Sequence, residues 1–331
     1  MMSYEMFREV VKEKFTDYLP EEYKNGVPEI RSVNKVNQLL DGITVRLEGV
    51  SDITPNMYIN DMYESYQHNG NLDDVLSHAA EQYMEAVRDI NQNKPVLDTA
   101  DLKDNVVMCL INSEQNKEML QSIPSKEFQD LSVIYRWVLS QDAIGMRSII
   151  VTNNIMCDAG LTEEELFQYA SENTKRIFPV KIAAMQEIIM ETAMMEGMPP
   201  EIAEELQTVT EPKESMWVIT NETGINGAAS MLYEKELHKL AEKIGTDLYI
   251  LPSSLHEVIA ASVEMAPLEF MSELVQEANR DACQLANRLS NNVYHYDKDL
   301  RKLTMATDVP NKRLDGIVDE PPLVYETEKK R

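Results

Sequence analysis

Between residues 4 and 19, Tyr4, Phe7, Val10, Val11, Phe15, Tyr18 and Leu19 recur at helical spacing, with Arg8, Glu9, Lys12, Glu13 and Asp17 between them. A stripe with that period predicts an α-helix burying one face, and Pro20 ends it because proline has no N–H to carry the helix on. Past a turn at Asn25 and Gly26, the run from Leu39 to Glu48 reads as a strand and Ile53 to Ile59 as a second, joined across Gly49 to Asp52 in a hairpin. A short helix is expected from Asn60 to Tyr66 and a longer one from Leu72 to Ile90. The longer one turns Leu72, Val75, Leu76, Ala79, Tyr83, Ala86, Val87 and Ile90 inward, with Asp73 and Asp74 at its positive end.

The polar, proline-bearing stretch NQNKPVLDTAD shows no period and predicts a boundary between an N-terminal α+β unit, residues 1–92, and a larger α+β domain, residues 93–307. Beyond it, Val106 to Asn112 is an apolar run short enough to be of either type. Leu131 to Leu139 and Met146 to Asn153 read as strands around Ser140 to Gly145. Thr162 and Glu165 have capping-box spacing and Leu161 and Leu166 staple spacing, so a helix should run from there to about Ile177, ahead of Pro179. Val180 to Met195 is expected to be another helix, closed by Gly197, Pro199 and Pro200, with a short acidic helix and a connection over residues 201–215.

Met216 to Ala260 parses as strand, Gly-rich turn, helix capped by Ser230, strand, and a helical turn capped by Ser254. A helix from Pro267 to about Leu289 follows, then a hairpin of Val293 to Tyr296 and Leu300 to Met305. The charged, Pro-rich tail 308–331 is expected to be mobile. Strand, turn, strand, helix recurs around 39–90, 131–177 and 216–260. The expected class is therefore α+β, with repeated hairpin-then-helix units and antiparallel or mixed sheets covered by helices.

Composition sharpens this picture. Single cores stop growing near ~250–300 residues, so 331 residues fit two units. Lys+Arg 31 against Asp+Glu 57 gives a net charge of −26, which opposes direct binding to nucleic acid or an anionic membrane, because both need basic surface. The converse reading, an acidic mimic of nucleic acid that inhibits a DNA- or RNA-binding protein, competes with plain solubility, since the carboxylates are spread along helix faces beside lysines. Cys109, Cys157 and Cys283 are few and far apart and read as reduced thiols. No basic start followed by an apolar run and no apolar stretch of roughly 18 residues is visible, which predicts a cytoplasmic protein without a membrane span.

Candidate chemistry is sparse. His256 and Glu257 open HEVIA, which lacks the second histidine of the helical zinc motif because position 260 is Ala. Ser253 and Ser254 precede them without a nucleophile elbow, and Ser254 with Glu257 has capping-box spacing instead. Gly224 and Gly227 flank Ile225 and Asn226 between a strand and a helix, where backbone N–H groups can hold phosphate. The third glycine of a dinucleotide fingerprint and the Lys of a P-loop are missing. Asn226, Ser253, Ser254, His256 and Glu257 are thus the candidate ligand-binding residues, with no catalytic set, no metal site and no cofactor predicted. Met185, Met190, Met194, Met195 and Met198 cluster on one segment and read as core filling or as an adaptable partner groove.

The stretches YLPEEY, MYINDMYESY, LINSEQNKEMLQSIPSKEFQDLSVIYRWVL, LTEEELFQYASENTKRIFP, NGAASMLYEKELHKLAEKIGTDLYILPSSLHEVI and LSNNVYHYDKDLRKL together span roughly residues 18–303. Through them the chain resembles a family of gut Clostridia and relatives known only as a domain of unknown function, and more faintly a second such Firmicutes family. The resemblance implies a bacterial cytoplasmic protein, frequently carried on mobile or accessory DNA, and supplies no active-site residues. Three functional expectations stand together: a non-enzymatic binding or regulatory protein acting on a protein partner; an enzyme of unfamiliar type with a pocket near residues 224–229 and 253–257; and the acidic mimic. The sequence leaves the oligomeric state open.

Overall fold

A computed structural model of the chain describes residues 1–47, 54–92, 98–141, 146–195, 197–198, 211–252 and 254–309. It divides into two compact units, Met1–Asp98 and Thr99–Arg331. The predicted loop at 49–52, the turn at 142–145, the acidic helix within 201–210 and the tail from 310 lie outside the described residues.

The first unit opens with helix α1, Tyr4–Lys14, whose line continues through a 3-10 turn, Phe15–Tyr18. Phe7, Val11 and Phe15 on the predicted stripe are completely buried. Strand β1, Val27–Lys35, which the apolar pattern does not signal, pairs antiparallel with β2, Gln38–Arg46. Its charged residues and Pro28 hide it in the sequence, yet β1 lies at the sheet edge, where a proline is tolerated. The strand expected from Ile53 to Ile59 is corrected to β3, Met57–Tyr58, which pairs only with Gly42 and Ile43 of β2 before the chain turns into helix α2, Ile59–Asn69. Helix α3, Leu72–Gln92, presents Val75, Leu76, Ala79 and Tyr83 to the same core as α1 and β2. Aromatic rings knit that core: Phe7 stacks on Tyr66 at 5.3 Å and Phe15 meets Tyr83 edge-on at 5.7 Å.

The second unit starts with a short helix α4, Leu102–Asn105, and strand β4, Val106–Asn112, every residue of which is buried. A run apolar up to its last residue, Asn112, is what a strand covered on both faces looks like. After helix α5, Lys117–Leu120, strand β5, Ser125–Phe128, and strand β7, Met146–Ile150, both pair with the long β6, Leu131–Gln141, which also pairs with β4. Helix α6, Asn153–Asp158, leads to α7, Glu163–Ile177. The expected capping box is present: Thr162 Oγ1 accepts the Glu165 N–H at 3.3 Å and Glu165 Oε2 accepts the Thr162 N–H at 2.9 Å. Helix α7 lies on β4, where Thr174 Oγ1 accepts the Met108 N–H at 2.8 Å.

The helix expected over Val180 to Met195 is corrected at its first part. Val180–Ala184 is strand β8, antiparallel to β9, Trp217–Asn221, and only Met185–Met195 forms helix α8. Five residues carry too little periodicity to separate the types, and the ladder offered by β9 decides the matter. Beyond β9 come a 3-10 segment, Gly227–Leu232, helix α9, Glu234–Ile244, strand β10, Leu248–Leu251, and strand β11, Val258–Ser262. Ser230 lies inside the 3-10 segment and caps nothing; the N-cap of α9 is Tyr233. The helical turn expected at Ser254 is likewise corrected, because β11 pairs with β10 on one side and β9 on the other. A short segment flanked by two ladders satisfies more backbone groups as strand than as one helical turn.

Helix α10, Leu268–Asp281, ends well before the expected Leu289, and β12, Tyr294–Asp297, forms the predicted hairpin with β13, Lys302–Met305. The six-stranded sheet runs β13-β12-β10-β11-β9-β8, all antiparallel. Met271 and Val275 of α10 pack with Leu251, Ala261 and Val293. The fold is thus α+β with antiparallel sheets and covering helices, while the third proposed repeat, 216–260, does not follow the hairpin-then-helix order of the other two.

Candidate functional site

The predicted residues meet where the turn after β9 touches the loop before β11. Asn221 organises the turn: its Oδ1 accepts the Thr223 N–H at 3.0 Å and the Thr223 hydroxyl at 2.8 Å, and its amide donates to Ile225 O at 2.8 Å. Gly224 and Asn226 then take left-handed backbone angles, φ 67° and 53°. At Gly227 a Cβ would stand 2.2 Å from Thr220 Oγ1 and 2.4 Å from His256 O, so the turn and the loop approach closely only because the side chain is absent.

The loop is held as tightly. Thr220 donates to His256 O at 2.7 Å, Ala228 N–H to Leu255 O at 3.2 Å, and Leu255 N–H to Asn287 O at 2.7 Å. His256 Nδ1 accepts the Asn226 N–H at 3.3 Å and Nε2 lies 3.3 Å from Asn287 Oδ1. A backbone N–H can only donate, so Nδ1 is the acceptor in its contact. Ser254, buried, turns its Oγ to accept the His256 N–H at 3.0 Å and so forms a local turn instead of capping a helix. The fold brings Asn226, Ser254 and His256 together. Glu257 stays outside this bonding; its charge, after burial itself, helps push the Cys283 thiol upward. Ser253 lies outside the described residues.

This arrangement fits a structural joint. A general base needs a lone pair facing substrate, and both ring nitrogens of His256 are engaged within the chain. The cavity beside the same 3-10 segment, ≈ 520 Å³, is lined by Lys175, Pro179, Val180 and Leu232 to Glu236 and by none of the predicted residues. Among the described residues no group of three or more His, Cys, Asp or Glu could hold a metal ion, and no helix is long and apolar enough to cross a membrane.

A second polar centre escaped sequence reasoning. The Asp130 carboxylate accepts from Ser290 Oγ at 2.6 Å, from the Asn292 amide at 3.0 Å and from the Tyr294 phenol, linking the β5–β6 turn to the segment before β12. Burial first, then the carboxylate, raises the Tyr294 phenol above its ordinary range. The Ser290, Asn291, Asn292 run between apolar Leu289 and Val293 was the available signal, since buried amides and hydroxyls must find partners.

The methionine-rich segment takes a different place. No side chain of α8 is buried, and Ile189, Met194 and Met195 are exposed at 58%, 42% and 87%. The helix is tied to the edge strand β8 by Glu187 Oε2 accepting the Ala184 N–H at 3.2 Å and by a Glu191–Lys181 pair at 3.7 Å. Met185 and Met190 are half-buried, while Ile189, Met194 and Met195 present apolar, flexible side chains to the outside.

No curated protein and no solved structure matches the chain. The model of one family does match, over residues 4–298, nearly the whole of the described fold from α1 to β12. The chain therefore belongs to the Family of unknown function (DUF5688).

Proposed function

We propose that the protein is a non-enzymatic binding or regulatory protein that acts on a protein partner through α8 and the adjoining edge of β8, an accessory role in a bacterial cytoplasm. The observation that carries this reading is a helix of eleven residues with no buried side chain and exposed Ile189, Met194 and Met195. Flexible thioether side chains on a surface adapt to a partner at little cost, and β8, the edge strand of its sheet among the described residues, offers backbone groups beside them for pairing. The net charge of −26 favours a partner with basic residues around its apolar strip and speeds their encounter. The engaged ring of His256 weighs against the reading of an enzyme at the predicted residues.

Affinity capture from the native host tests it. The intact chain should retain a specific protein, and a double variant, Ile189→Glu with Met195→Glu, should lose that protein while keeping its thermal transition. Equal retention by both chains, or no specific protein on either, would sink the proposal.

A further inference from the structure

In the N-terminal unit β2 outruns its neighbour. Strand β3 pairs only with Gly42 and Ile43, and Thr54–Asn56 run beside β2 without extending the ladder. The bared edge at Val45 is closed from α3 instead, where Tyr83 Oη lies 3.2 Å from both Val45 N and Val45 O, accepting from one and donating to the other. A phenol is narrower than a strand, and the space left over is a cavity of ≈ 420 Å³. That volume falls within the range of small-molecule sites.

Its lining divides by chemistry. One wall is apolar: the rings of Tyr23 and Tyr83, edge to face at 6.1 Å, with Val87 and Ile90. The other is polar, with Thr44 donating to Thr54 at 2.8 Å beside Asn56. Tyr23 is 8% exposed, yet its phenol makes no hydrogen bond among the described residues, although it lines the cavity. Arg31 and Arg46 also line the cavity and share one carboxylate, Glu29 Oε2, at 2.6 Å and 3.5 Å. Among the described residues, then, two guanidinium groups face one carboxylate, leaving positive charge at the mouth of a cavity in a chain whose net charge is −26.

We propose that this cavity is a binding site for a small organic anion: an aromatic or branched apolar body carrying a carboxylate, sulfonate or phosphate group. The body rests on Tyr23, Tyr83, Val87 and Ile90, where rings and methyl groups shed water. The anion sits between Arg31 and Arg46, whose forked donors fit planar or tetrahedral oxyanions. The Tyr23 phenol, which lines the cavity, supplies a hydroxyl that can donate to the ligand. This site stands in the first unit and is independent of the surface at α8.

Anilinonaphthalene sulfonate, an aromatic body with one anionic group, probes the whole chain by fluorescence titration, with uncharged N-phenylnaphthylamine as its companion. Saturable binding of the sulfonate is expected. The exposed pair Arg31→Ala with Arg46→Ala should weaken it by roughly tenfold, equivalent to about 1.4 kcal/mol, and change the uncharged probe much less. Ile90→Trp, which fills the cavity, should abolish both. If that variant loses its cooperative thermal transition, Asn91→Trp at the exposed rim replaces it as the block. No saturable sulfonate binding, sulfonate affinity indifferent to the arginines, or binding that persists in the filled variant would each overturn the proposal.

Discussion

Gly227 and His256 show how much a single position can decide. Because a Cβ at Gly227 would collide with Thr220 Oγ1, His256 O and Asn221 N, Gly227→Ala must separate the turn from the loop. Overpacking of this kind costs about 1–3 kcal/mol, read as a lower denaturation midpoint; an unchanged midpoint would mean that the contact is looser than the geometry implies. The cysteines give a second prediction at this scale. Cys157 is exposed, while Cys109 is buried with its thiol pushed up to about 11 by desolvation, only partly opposed by Arg136. Thiolate is the reactive form. Labelling of the native chain should therefore start at Cys157, vanish as a fast phase in Cys157→Ser, and reach Cys109 only in denaturant. Because Cys283 is half-buried, native labelling that survives Cys157→Ser combined with Cys283→Ser contradicts the burial of Cys109.

Among the elements, α7 is the one whose start is written most fully in the residues. The Glu165 carboxylate is held below its ordinary range by the Thr162 N–H first and the Thr162 hydroxyl second. A depressed carboxylate stabilises the fold above its unfolded range and loses that contribution as pH falls through the lowered value. The melting-temperature gap between the parent chain and Glu165→Gln should accordingly hold at neutral pH and close in acid; a gap that widens in acid would reverse the assignment. Thr162→Ala removes the cap itself and should cost about 1 kcal/mol at neutral pH. Local signals served well wherever the element owned its partners: the capping box of α7, the apolar stripe of α3, the β12–β13 hairpin. They failed at β1, β8 and β11, whose pairing residues lie across the sheet and whose own sequences are short, charged or evenly apolar.

At the scale of the whole molecule the charge of −26 is a force the fold must hold against. Like charges repel in the compact state, and salt screens them over about 8–10 Å at physiological strength. Raising ionic strength from near zero should raise the thermal midpoint, and a fall would show that attractive pairs such as Arg301–Glu234 outweigh the repulsion. The same charge gives a basic partner its advantage at α8 and makes the arginine-lined mouth of the N-terminal cavity stand out.

How far the candidate site could be read follows from the same physics. The sequence placed Asn226, Ser254 and His256 in one stretch, and they do meet, but their meaning came from Thr220, Asn221 and Asn287, contributed by β9 and by the segment after α10. The residues alone determined the α+β class, the helices with strong periodicity and the excess of negative charge, because propensity, period and charge are local or additive. Only the tertiary structure decided that HEVIA enters a strand, that the histidine ring is already engaged, that Met194 and Met195 face outward and that β2 outruns β3. Each of those depends on which distant backbone groups offer a hydrogen bond, and a chain taken one residue after another does not contain that information.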